Sequence, residues 1–134
     1  MDKHVVANGP FAALIPDGVR VGDTIHLSGA VSVDAEGNPQ HPDDFLAQNR
    51  VAYQNIENTL RALGATMDDV VKETVFVTDI ADPTGDPEAP FQSYGAMRHE
   101  IYGGRGAEVA QSLVEVSNLV MPGLRVEIEV IAHV

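Results

Sequence analysis

The stretch VVKETVFVT, residues 70–78, decides the fold class of this chain. Its β-branched and aromatic residues favour a β-strand. Strand alternation would place Val71, Val75 and Val77 on one face, and Val70 and Phe76 on the other. Apolar residues on both faces are typical of a strand that is buried on both sides of its sheet. The chain therefore needs a cover for each face of that sheet.

Further strand patterns lie on both sides of this stretch. Residues 24–33 alternate, with Ile25, Leu27, Val31 and Val33 predicted on one face and Gly29 inside the strand. Shorter strands are predicted at residues 5–6 and 18–21, and longer ones near residues 110–116 and 125–133. These segments are enough for one sheet of four to six strands.

Two segments have helical periodicity. The first is expected to run from a cap at Asp43 or Asp44 to Leu63, because Gly64 supplies a stop. The second helix is expected over residues 91–102. Three separate prolines within residues 82–90 predict an exposed acidic loop before it. We therefore predict a single domain over residues 1–134 of the α+β class, with one mixed β-sheet and two helices packed on one face.

The second face of this sheet has no predicted cover within the chain. Two helices suffice for one face, and no other segment is left for the opposite one. The economical solution is another copy of the same chain in a closed, symmetric oligomer. We therefore expect the protein to associate with itself.

Composition excludes several classes of partner and chemistry. The formal net charge of −12 disfavours nucleic acid, which basic residues bind by neutralising phosphates. The absence of cysteine excludes disulfides and thiolate chemistry, and the five histidines lack the spacing of a metal site. Neither a signal peptide nor the roughly 20 apolar residues of a membrane span is present, so a cytoplasmic protein without a membrane partner is expected.

The C-terminal stretch alternates apolar and charged residues over residues 125–133. Val126, Ile128 and Val130 would face one side, while Glu127 and Glu129 would face the other together with Arg125. Taken alone, this pattern indicates an ordinary half-solvated strand whose Arg and Glu side chains balance one another.

Four blocks in the same order resemble the RidA family, also called the YjgF-type proteins. They are residues 22–29, 48–56, 70–79 and 126–132, with the sequences GDTIHLSG, QNRVAYQNI, VVKETVFVTD and VEIEVIA. The resemblance implies a fold like that of the trimeric chorismate mutases, assembled as a homotrimer. It also implies small-molecule pockets between adjacent subunits and hydrolytic deamination of reactive enamines or imines. No cofactor is implied, because the carbon of a protonated imine is already electrophilic.

The same resemblance nominates site residues. Gly29 matches the glycine at the end of the family's strand, and Glu127 matches the acidic residue that orients or activates water. Gln111 stands where active members have a substrate-binding arginine, and Ile15 stands where a pocket tyrosine is common. Arg105, in the turn before Gln111, is a further candidate for a substrate contact, although turn residues are usually solvated.

Two functions remain open at this point. The first is an enamine or imine deaminase whose substrate lacks the usual carboxylate or presents it differently, since an amide does not replace a guanidinium fork. The second is a non-catalytic, small-molecule-binding or structural trimer. The ribonuclease activity attached to the family's other name is disfavoured, because three copies at −12 each would carry −36.

Overall fold

The computed structural model describes residues 1–81 and 91–134 of the chain. The predicted acidic loop at 82–90 lies outside the described residues. Within them, the strands are β1 (His4–Val6), β2 (Gly18–Val21), β3 (Thr24–Leu27), β4 (Ala30–Val31), β5 (Val70–Val77), β6 (Ala110–Glu115) and β7 (Val126–His133). The α-helices are α1 (Phe45–Ala62) and α2 (Gln92–Ile101).

All seven strands belong to one mixed sheet. Its order is β1-β2-β3-β7-β5-β6, and β4 also pairs with β7. Strands β5 and β6 are parallel, and all other pairs are antiparallel. A parallel pair requires a crossover connection, and α2 lies in the connection between β5 and β6. The prediction of a mixed sheet is confirmed.

Capping residues set the helix bounds. The Asp44 side chain accepts a hydrogen bond from the amide of Ala47 at 3.1 Å, and Gly64 follows α1 with a φ of +83°. Gly103, with a φ of +60°, follows α2. Positive φ favours glycine, so these residues end the helices where the sequence predicts.

Both helices pack on the same face of the sheet. Ile56 and Leu60 of α1 and Met97 of α2 share one buried core with the strand residues Val75 and Ile128. The α+β architecture with two helices on one face is therefore confirmed. No helix among the described residues is long and apolar enough to cross a membrane.

A bulge changes the predicted faces of β5. The register shifts between Val70 and Lys72, so Val71 is an extra residue in the strand. Val71 is 43% exposed, whereas Val75 and Val77 are fully buried beneath the helices. The prediction that Val71 shares their face is wrong. The opposite face, which bears Phe76, is only partly buried within one chain.

A second irregularity interrupts the strand that we predicted at residues 24–33. His26 pairs with Ile131 and Ala30 pairs with Ile128, so β3 and β4 advance four residues while β7 advances three. The extra residue lies in the Leu27–Gly29 segment that joins them. Like other bulges, it redirects the side chains that follow.

The bulge reverses the side-chain alternation between β3 and β4. Ile25 and Leu27 enter the core beneath the helices, but Val31 packs in a separate cluster with Val33 and Leu124. The prediction that all four apolar residues share one face is therefore wrong, because a one-residue insertion exchanges the two faces of a strand.

Candidate functional site

The bulge opens onto a cavity of about 780 Å³. Its walls come from the segment between β1 and β2, from α1, from the junction of β3 and β4 with β7, from residues 33–35 after β4, and from Val120. They include Phe11, Ile15, Gly29, Asn55, Thr59 and Glu127. Residues far apart in the sequence are thus brought to one concave surface of the size that small molecules occupy.

Gly29 and Glu127 are in direct contact at this cavity. A Cβ atom at position 29 would lie 2.6 Å from both Cδ and Oε2 of Glu127. Only a glycine leaves room for the carboxylate in this position, since real Cβ atoms do not approach so closely. The structure therefore brings together two of the residues that the family resemblance nominates.

Glu127 has the electrostatic environment of a proton-transfer group. Its side chain projects from β7 beside the bulge and is half-buried. Burial raises the pKa of this carboxyl, and the negative charge of Glu129 raises it further. A raised pKa makes the carboxylate a stronger base and increases the fraction of its protonated form near neutral pH.

Two further carboxylates lie at the cavity wall. Asp17 accepts hydrogen bonds from the amides of Asn8 at 2.7 Å and Gly9 at 3.0 Å, and so orders the segment after β1. Asp34 accepts from the amide of Asn38 at 2.9 Å, and these backbone contacts lower its pKa. The Asp34 carboxyl therefore stays ionised at neutral pH.

Ile15 also lines this cavity. Its amide donates to the carbonyl of Phe11 at 2.9 Å, so residues 11–15 form a helical turn that presents Ile15 to the cavity. Where the family often has a tyrosine, this chain contributes an apolar surface without a hydroxyl. Ile15, Gly29 and Glu127 are thus placed around the same space.

Gln111 lies elsewhere in the chain. It pairs with Glu73, which in turn pairs with Val130, so its side chain is on the helix-covered face. Glu127 is three residues from Val130 on β7 and faces the other way. One chain therefore does not bring Gln111 and Glu127 together. The sequence did not reveal this separation, because the face of the sheet on which a side chain lies depends on the strand register.

The Gln111 amide, although its residue is exposed, joins a hydrogen-bonded cluster around the buried Glu73. Its Nε2 donates to Oε2 of Glu73 at 2.8 Å and to the hydroxyl of Tyr94 at 2.9 Å. The hydroxyls of Tyr53 and Tyr102 donate to Oε1 of Glu73 at 2.7 and 2.6 Å. Glu73 has no exposed surface, yet both of its oxygens are satisfied.

Arg98 supplies the positive charge of this cluster. Its Nε donates to Oε2 of Glu73 at 2.6 Å, and its two Nη atoms donate to the carbonyls of Gly106 and Val109. Burial and the charge of Glu73 raise the pKa values of Tyr53 and Tyr102, so their hydroxyls remain protonated donors. The cluster joins both helices to β5 and β6. Sequence reasoning missed it, although a glutamate between buried valines was its available signal.

Arg105 does not reach the cavity. Its Nε donates to Oε2 of Glu108 at 2.8 Å, and its Nη1 lies 3.3 Å from Oδ1 of Asp68. The side chain is half-exposed at the turn before β6. Within one chain it is a solvated, ion-paired arginine. Among residues 1–81 and 91–134, no group of three His, Asp or Glu side chains could hold a metal ion.

Comparisons with known proteins identify the family of this chain. The sequence model of the family described as Endoribonuclease L-PSP matches residues 5–134 of this chain. The chain belongs to that family, the YjgF/RidA proteins. One YjgF/RidA relative is YjgH of Escherichia coli strain K12, described as a RutC family protein. It is 33% identical over 116 residues, which cover 87% of this chain and 79% of YjgH.

Solved structures of YjgF/RidA proteins share the fold. Rv2704 of Mycobacterium tuberculosis, described as a member of the YjgF/YER057c/UK114 family, is 31% identical with a TM-score of 0.78, covering 99% of this chain and 100% of Rv2704. YyfA of Yersinia pestis, described as a Rid family protein of unknown function, is 30% identical with a TM-score of 0.81. That match also covers 99% of this chain and 100% of YyfA.

Proposed function

We propose that this YjgF/RidA protein is a hydrolytic deaminase of a reactive imine or enamine, with Glu127 as the proton acceptor and donor. The observation that carries the proposal is the contact between Glu127 and Gly29 at the cavity wall. The bare backbone at Gly29 lets the carboxylate lie against the strand junction at the cavity wall. No cofactor is required, because water attack on an imine needs only positioning and proton transfer.

The reaction balances with Glu127 alone. The oxygen of a water molecule bonds to the carbon of the protonated imine while Glu127 takes one water proton, and the C=N bond becomes single. Glu127 then returns a proton to the nitrogen. The new hydroxyl loses its proton as the C=O bond forms, the C–N bond breaks, and ammonia leaves with that proton. One imine cation and one water give one carbonyl compound and one ammonium ion.

We also propose that three copies of the chain form the working unit, with the cavity at each subunit boundary. Two features support self-association: the helix-free face of the sheet is only partly covered, and β6 is an edge strand with mostly exposed residues. An unprotected edge and an apolar face are sites where another chain pairs. Light scattering coupled to size exclusion is expected to give the mass of three chains, and a monomer at micromolar concentration would contradict this assembly.

The non-catalytic binding trimer is the competing function. It is favoured by Gln111, because a neutral amide stands where active members of the family have a cationic arginine, and its Nε2 donates to Glu73 and Tyr94. A ribonuclease, as in the family's printed description, has to bind a polyanion despite a net charge of −12. Imine hydrolysis remains our proposal because Glu127, unlike Gln111, is available at the cavity.

Substitution of Gly29 by Ala tests the proposal. The new methyl group would displace the Glu127 carboxylate, so we expect ammonia release from imines to fall at least about tenfold, which corresponds to ~1.4 kcal/mol of transition-state stabilisation. The substrates are imines generated in place from ethylamine and from alanine by flavin-dependent oxidases. Thermal stability should change little, because the end of the Glu127 side chain can move.

Gly95→Ala is the matched control. Gly95 lies within α2, and a Cβ there would meet nothing within 4 Å. This substitution should leave activity unchanged and slightly raise stability, since alanine is favoured in helices by about 0.5–1 kcal/mol. Full activity in Gly29→Ala would refute the role that we assign to the Gly29 and Glu127 contact.

A further inference from the structure

The cavity that contains Glu127 is acidic. Asp17, Asp34 and Glu127 supply three carboxylates to its walls, and no Lys, Arg or His is among the described residues that line it. The concave shape concentrates this field, because low-dielectric walls focus field lines into a cleft. An anion that enters would therefore be repelled.

The basic side chains are held elsewhere. All eight Lys and Arg residues lie in the described part of the chain. Five of them direct donors to carbonyl or carboxylate oxygens of their own chain: Arg20, Arg50, Arg61, Arg98 and Arg105. Lys72 donates to Ser112 at 2.8 Å, Arg125 lines a separate cavity of about 450 Å³, and Lys3 is exposed ahead of β1 and does not line the acidic cavity.

Hydroxyl groups at the cavity are also turned toward the protein. Ser28 donates its proton to the carbonyl of Pro16 at 2.7 Å, and Thr59 donates to the carbonyl of Asn55 at 3.1 Å. A hydroxyl has a single proton, so each of these groups offers a ligand only its lone pairs. The carboxylates and these hydroxyls both favour a ligand that donates hydrogen bonds.

We infer that the ligand of this cavity is a small amine or iminium cation without a carboxylate group, so that hydrolysis would yield an aldehyde or ketone rather than a keto acid. The inferred reaction product rests on the proposed function, whereas the inferred ligand class does not. Glu127 serves both steps, since its charge attracts the cation and its oxygens face the carbon under attack. The apolar side chains of Phe11 and Ile15 would contact the hydrocarbon part of the ligand.

Binding can be tested with two stable probes that differ by one group. Pyrrolidinium is a cyclic ammonium ion, and proline is the same ring with a carboxylate added. By titration calorimetry with the full chain, we expect pyrrolidinium to bind at least about tenfold more tightly than proline, because like charges near a half-buried site repel strongly. Glu127→Gln should weaken pyrrolidinium binding by a similar factor.

Glu129→Gln is the matched control for this loss. It removes the same charge from the same strand, two residues further on, but Glu129 is exposed and does not line the cavity. Pyrrolidinium binding should weaken much less in this variant than in Glu127→Gln, because Glu129 acts on the cavity only through its charge and not by contact. Equal weakening by both substitutions would show a general effect of net charge and would overturn the inference.

Rates of imine hydrolysis distinguish a failure of the inferred ligand class from a failure of the proposed function. Ethanimine and 2-iminopropionate, the imines obtained from ethylamine and alanine, differ only by the carboxylate, and ethanimine should be hydrolysed faster. Binding of pyrrolidinium at Glu127 without any turnover would support the ligand class and contradict the deaminase. Faster hydrolysis of 2-iminopropionate, with tighter binding of proline, would support the deaminase and overturn the ligand class. In that event Lys72→Met and Arg125→Met would identify the cation.

Discussion

Glu127→Gln is expected to lower the rate of imine hydrolysis by about a hundredfold or more, within the range of roughly 10²–10⁴ that a positioned acid or base contributes. The amide keeps the size of the side chain but neither takes a proton from water nor returns it to nitrogen. Ammonia release from freshly generated ethanimine measures the effect. An unchanged rate would show that Glu127 takes no part in the reaction, and a non-catalytic binding protein would then be the better interpretation.

The pH profile provides an independent check of the same carboxyl. Because its pKa is raised, the carboxylate form is lost as pH falls through a value above the ordinary 4.5, and activity should fall with it. Glu129 contributes to that shift, so Glu129→Gln should move the acidic limb of the profile to lower pH. If Glu129→Gln does not move the acidic limb of the pH profile, a group other than Glu127 controls that limb.

Arg98→Met is expected to lower the free energy of unfolding by about 3–5 kcal/mol, the usual effect of removing one partner from a buried ion pair. Methionine keeps much of the aliphatic volume, but Glu73 would remain fully buried without its cation. The Arg98 side chain is only 15% exposed, so solvent compensates little for the loss. Urea unfolding followed by circular dichroism measures the change.

Arg61→Met is the control for this stability loss. Arg61 forms a 3.0 Å ion pair with Glu57 one turn away on α1, and both side chains are largely exposed. Pairs of this kind contribute about 0–1 kcal/mol. Adding Glu73→Gln to Arg98→Met should recover part of the lost stability, because it removes the uncompensated charge. Equal effects of Arg98→Met and Arg61→Met would show that the buried cluster does not stabilise the fold.

The helices and most strand positions could be predicted because local chemistry specifies them. Asp44 and Gly64 place the ends of α1 through a side-chain cap and a positive φ, and both signals are visible in the sequence. The bulges could not be predicted in the same way. The alternation of residues 24–33 continues through Gly29, so nothing local shows that one residue lacks a partner on β7.

The candidate site was predictable to a different extent for each residue. Gly29 and Glu127 lie in blocks that resemble the family, and the structure places them in contact. Gln111 lies outside these blocks, at a position where the chain departs from the family's arginine, and the resemblance does not say which neighbour its amide will meet. The role of Glu73 could not be predicted, because strand alternation gives no sign that a glutamate is buried. A glutamate in a strand is ordinarily assigned to the wet face, and only the three-dimensional arrangement of Arg98 and the tyrosines makes its burial favourable.

The position of β7 also has a consequence for how the chain is made. This strand, Val126–His133, comes last among the strands in sequence, yet it lies between β3 and β5 in the middle of the sheet. During synthesis, β1 to β3 and β5 to β6 emerge first as two separate ribbons, each with an open edge. They can join in the sheet only after β7 has been made. Until then the strand edges that β7 covers are open to other chains, which favours aggregation of the nascent protein.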